Sequence, residues 1–166
     1  MTPAHRSSGD PANPRPIDHA LRLRSLWTAY LLAMLFHVQL GLMPLFHGNS
    51  VVIGNTVNPA QVPLVYWAML VYFLLPLGAL LLISWAASDG YGSGSGSGRW
   101  RSWCRWHFWL SVVYSVTNLF HLIADIVVPD SRADQVFLMA LLFLIGLLIN
   151  RQAWLWANPG LAAMQT

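Results

Sequence analysis

The sequence predicts an all-α integral membrane protein, a four-helix up-down bundle with both termini in the cytoplasm. Three observations predict it. The 166 residues are 56% hydrophobic and only 9% charged, where a soluble domain carries about 25% charged residues. No soluble core of this size hides so much apolar surface. Four apolar stretches, about residues 26–46, 63–85, 106–128 and 136–156, each approach the roughly 20 residues that a helix needs to cross a bilayer. The third observation is charge: Arg6, Arg15, Arg22 and Arg24 precede span 1, Arg99, Arg101 and Arg105 lie between spans 2 and 3, and Arg151 closes span 4, while the other two loops hold only Arg132. The positive-inside rule then places both termini and the second loop in the cytoplasm.

Taken in order, residues 1–20 are polar and Pro-rich and form a disordered tail; residues 21–166 form the transmembrane domain. Span 1 is too long for a cleaved signal peptide and reads as a retained anchor. Pro44 and Pro76 fall within spans 1 and 2, where each kinks its helix or frees a carbonyl. Residues 90–98, GYGSGSGSG, read as a flexible loop, low in complexity by nature or by engineering. Span 4 meets Asn150, Arg151 and Gln152 after its clean apolar run. It crosses if Arg151 snorkels while Trp154 and Trp156 rest at the interface. Trp27, Trp85, Trp100, Trp103, Trp106, Trp154 and Trp156 map to the cytoplasmic level as an aromatic belt.

Composition also excludes functions. Cys104 is the sole cysteine, so no disulfide and no cysteine-based metal site forms within one chain. The arginines cluster beside apolar segments as topology signals, so no nucleic-acid partner is expected. Neither a GxSxG context nor a Gly-rich loop followed by Lys is present, so hydrolase and kinase chemistry are not expected.

The informative pattern lies in span 3. His107, Ser111, Tyr114, Asn118, His121 and Asp125 recur at alternating steps of four and three, which places them on one helical stripe. Ionisable groups at membrane depth are costly, face a protein interior or a cavity, and mark function. Span 1 has its own stripe of Tyr30, Met34, His37, Gly41 and Pro44. His37 lies about 14 Å and His121 about 10 Å from the outer ends of their helices, counted at the helical rise. Two imidazoles on two parallel helices at matched depth suit axial ligation of a haem. Gly41, one turn from His37, would let a porphyrin approach the backbone. Asp125, one turn from His121, would orient its ring, while Asn118 and Tyr114 would line the pocket. A second haem through His107 is not expected, because no partner histidine lies near the inner face; His107 itself reads as interfacial and water-exposed.

In outline, four spans with this histidine pair resemble the four-helix membrane b-type cytochromes, which carry electrons between quinones and other carriers. The resemblance implies haem b and electron transfer near the outer face, with a redox carrier or other membrane subunits as partners. Two other readings of the same residues stand beside it. In one, the pair is only packing glue in a non-catalytic structural or assembly subunit, since interhelical hydrogen bonds contribute about 0.6 kcal/mol on average. In the other, the chain handles metal, with His37, His121 and Asp125 as ligands and His47, at the outer end of span 1, within reach. Asp125, Asp130 and Asp134 around Arg132 read as a solvated loop, with Asp134 favoured by the helix dipole, or as a docking patch for a basic carrier. A bacterial inner membrane or a thylakoid-type membrane is the expected location.

Overall fold

A computed structural model of the chain describes residues 19–48, 62–88, 98–127 and 132–158. These residues form four helices: α1 (His19–Phe46), α2 (Val62–Ser88), α3 (Gly98–Val127) and α4 (Ala133–Ala157). Each is long and apolar enough to cross a membrane. All four helices begin earlier than their apolar runs. α1 takes in Arg22 and Arg24, and α3 takes in Arg105, because a helix continues past the hydrocarbon while its flanking arginines reach the headgroups. The expected tail therefore gives up its last two residues to α1; the rest of it, and most of the glycine–serine loop, lie outside the described residues.

α4 packs against both α1 and α3, and α2 packs against α1. Gly146 of α4 makes the α3 contact close: a Cβ there would stand 2.8 Å from Ser115 Oγ. The core runs through Leu23, Trp27, Tyr30 and Met34 of α1, Ile83 of α2, Tyr114 of α3 and Met139, Leu142 and Ile149 of α4. Large apolar side chains such as Phe36, Trp67, Phe120 and Phe137 remain exposed, as expected of helices whose outer surface meets lipid.

The polar residues of span 4 are explained by their partners. Asn150 Nδ2 donates to Ser115 Oγ at 2.9 Å, and Gln152 Nε2 lies 2.6 Å from His19 Nδ1. Arg151 between them is exposed. α4 therefore continues through all three residues to Ala157.

Both internal prolines free a carbonyl, and a side chain from elsewhere in the fold approaches it. Proline has no N–H, so the carbonyl four residues earlier loses its helical donor. For Pro76 that carbonyl belongs to Tyr72, which accepts Tyr114 Oη from α3 at 2.6 Å. For Pro44 it belongs to Leu40, which Arg132 Nη1 approaches at 3.5 Å from the start of α4. The prolines thus create interhelical ties as well as interrupting helices.

Candidate metal centre

The α3 ladder divides into two parts. Its first four members, His107, Ser111, Tyr114 and Asn118, are buried, between 0% and 3% exposed. The structure corrects the expectation that His107 is interfacial and wet. Its Nε2 accepts the indole N–H of Trp27 at 2.9 Å, and the rings of Trp27, Trp103 and Trp156 surround it with centroids 5.8–6.1 Å away. Since an indole only donates, His107 is held with its proton on Nδ1. Trp27 is likewise no belt residue: it is fully buried. Trp85, Trp106 and Trp154 are exposed at the surface.

Asn118 is the hub of a second group. Its Oδ1 accepts Tyr30 Oη and Tyr72 Oη, each at 3.1 Å, and its Nδ2 lies 2.8 Å from Tyr30 Oη. Tyr114 stacks beside Tyr72 at 4.8 Å while donating to its carbonyl. Asn118 and Tyr114 are therefore committed to α1 and α2 through these bonds. Gly41 faces α4: a Cβ there would meet Gln135 Nε2 at 3.1 Å. Its missing side chain admits the start of α4. The network residues that the ladder did not reveal are Trp27, Tyr72, Asn150 and Gln152. The signal for Tyr72 was present in Pro76, four residues on.

The remaining ladder members meet α1. The His37 and His121 rings approach with centroids 5.4 Å apart and planes nearly perpendicular. One ligand atom from each of His37, His121 and Asp125 lies within 4.8 Å of the other two. His121 Nε2 stands 3.8 Å from Asp125 Oδ1, too far for a hydrogen bond. His37 Nδ1 and Asp125 Oδ2 are enclosed yet have no hydrogen-bond partner. The His121 side chain is 55% exposed and that of Asp125 19%. His47 is exposed beyond the end of α1 and does not join the group.

Such a triangle fits a single metal ion. Imidazole nitrogen and carboxylate oxygen bind transition metals at about 2.0–2.2 Å, which at a tetrahedral angle separates two donors by roughly 3.4 Å. The 3.8 Å between His121 and Asp125 is close to this, and donors as far apart as the 4.8 Å limit of the triangle would close by about 1.4 Å on binding one ion. A haem makes a different demand. Its iron takes two imidazoles from opposite faces of a macrocycle that fills the equatorial plane. Asp125, within 4.8 Å of both imidazole donors, has no place as a ligand in that arrangement. Comparison with protein-family models, with curated proteins and with solved structures gave no match.

Proposed function

We propose that this chain is a small membrane protein that holds one transition-metal ion between α1 and α3, with His37, His121 and Asp125 as ligands. The observation that carries the reading is the convergence of three donor atoms within 4.8 Å, drawn from two helices. His37 Nδ1 and Asp125 Oδ2, two of six enclosed side-chain atoms without a partner among the described residues, would gain one in the metal. Two imidazoles and one carboxylate form a borderline donor set, suited to zinc or to iron, nickel or copper in the divalent state rather than to calcium or magnesium. Such a site stores, passes on or uses the ion in the membrane; three ligands leave positions free for exchange.

A second reading is favoured by one feature, the direct apposition of two imidazoles. It is a b-type haem on His37 and His121, serving electron transfer. A third, the structural or assembly subunit, is supported by the Trp27–His107 and Asn118 ties, which fix helix register whether or not metal is bound. One preparation separates the three. Protein purified in detergent is taken through metal analysis and through oxidised and reduced visible spectra. The ion reading expects about one bound transition metal per chain after loading and no Soret band. A Soret band lost in both His37→Ala and His121→Ala would replace it with haem. A colourless protein that retains no metal would leave the subunit reading.

The arrangement in the bilayer belongs to the same proposal: an up-down bundle with termini in the cytoplasm and the metal centre in the outer half. Arginine asymmetry supports this. Cysteine introduced at Ser50 or Asp130 is expected to react with a membrane-impermeant maleimide from outside, and at Ser95 only from inside. The reverse labelling pattern would put the metal centre in the cytoplasmic half.

A further inference from the structure

The metal centre lies beneath a face that α2 leaves uncovered. Along α3, Ser115 and Phe108 contact α4, whereas Tyr114 contacts Tyr72 of α2. His121 lies two turns beyond Tyr114 on the same stripe, and so on the α2 side of α3. There α2 no longer packs. Tyr72 and Phe73 are half-buried and Pro76, Ala79 and Ile83 are buried, but the described side chains from Pro63 to Val71 are all exposed. Residues at every angle around this stretch are uncovered, so it shields neither α1 nor α3. The His121 side chain is 55% exposed, and Phe36, beside His37 in α1, and Phe120 and Ala124, within one turn of His121 on α3, are exposed as well.

The charge balance of the site defines what would enter. A divalent ion held by two neutral imidazoles and one carboxylate retains a net single positive charge. Among the described residues, the neighbouring Arg132 is already matched by Asp134, at 2.7 and 3.0 Å, and no second carboxylate joins the ligand group. An uncompensated charge in apolar surroundings is costly. An anionic oxygen ligand removes that cost, and the apolar opening selects one that carries a hydrocarbon chain.

Resting on the metal-centre reading, we infer that the free coordination positions open sideways toward the lipid and take a fatty carboxylate. The carboxylate oxygen binds the metal beside His121, and the chain lies along the exposed face between α3 and the Pro63–Val71 stretch of α2. The ligand exchanges by displacing metal-bound water, with no redox step.

The test uses the full chain in detergent loaded with cobalt(II), whose visible bands report its ligands. Decanoate is expected to shift these bands at a concentration about 10-fold or more below that of acetate, which has the same donor without the chain. Because decanoate also concentrates in micelles, the deciding comparison is between proteins at equal detergent concentration. Ala124→Trp narrows the opening at a position that supplies no ligand atom. It is expected to keep the cobalt bands and the acetate response while raising the half-saturating decanoate concentration about 10-fold or more. Thr117→Trp, on the same side one turn before His121, is expected to act alike and serves where Ala124→Trp does not assemble. Equal decanoate responses in variant and unaltered protein, or acetate acting while decanoate does not, would overturn the lateral opening and leave the metal centre standing. Absence of cobalt bands in the unaltered protein would overturn the metal centre itself.

Discussion

Replacing His37 or His121 with alanine is expected to lower transition-metal affinity by on the order of 100-fold or more, and Asp125→Asn by about 10- to 100-fold. Groups that merely orient a ligand already contribute 10–100-fold, so a direct ligand contributes at least as much. The three substitutions are most informative together. His37 and His121 are needed by an ion and by a haem alike. Asp125 is a direct ligand only for the ion; for a haem it would orient His121 without touching the iron. Metal lost or weakened in all three, with no Soret band in the unaltered protein, marks a mononuclear ion bound by the whole triangle. An Asp125→Asn protein that keeps a cofactor lost in both histidine variants would exclude the carboxylate as a ligand. Titration with zinc or cobalt, read by calorimetry, measures the effect.

The same triangle fixes the sign of the pH dependence. Imidazole binds a metal only when neutral, and a carboxylate only when ionised, so protons compete with the ion for all three ligands. Affinity is expected to fall as pH falls, and binding to release protons into the buffer. Affinity that stays constant while pH is lowered through the histidine range would be inconsistent with two imidazole ligands.

Much of this site was legible in the sequence because helices make depth and direction countable. Steps of four and three put His121 and Asp125 on one stripe, and counting residues from the span ends put His37 at a similar level. What the spacing could not give was azimuth relative to neighbours. Asn118 and Tyr114 share the stripe with His121, yet Tyr72 enters from α2 and engages both. The stripe is broad enough for its members to face different helices. His107 was misplaced for another reason. Its position beside Arg105 and Trp106 suggested water, but α3 begins well before its apolar run, and Trp27 packs across from α1 to enclose the ring. A belt residue and a core residue have the same letter, and only the partner's arrival separates them. Gly41 follows the same logic: the space it leaves is filled by Gln135, which no feature of span 1 alone announces.

Stability depends on the other half of the ladder, and its centre is Asn118. Asn118→Leu is expected to destabilise the bundle by about 2–4 kcal/mol. Individual hydrogen bonds between membrane helices average only about 0.6 kcal/mol, so a sum of lost bonds would suggest less. The larger effect arises because one substitution removes the acceptor shared by Tyr30 Oη and Tyr72 Oη and leaves these two hydroxyls only each other, one O–H without an acceptor. Tyr30 is fully buried, and an unsatisfied buried group costs about 1–3 kcal/mol. Tyr72→Phe removes one hydroxyl while Asn118 keeps Tyr30, so its expected cost is below about 1 kcal/mol. The freed carbonyl of Tyr72 sharpens the contrast: it accepts Tyr114 through the backbone, so Tyr72→Phe leaves that tie intact. Tyr114→Phe breaks it, returning the Pro76 break to an unpaired carbonyl at a cost of about 1–3 kcal/mol. Helicity followed by circular dichroism through a mixed-micelle denaturation series ranks the variants. The expected order of loss is Asn118→Leu, then Tyr114→Phe, then Tyr72→Phe. An Asn118→Leu protein as resistant as the unaltered chain would mean that Tyr30 and Tyr72 find other partners, and that close packing, not this amide, holds α1, α2 and α3 in register.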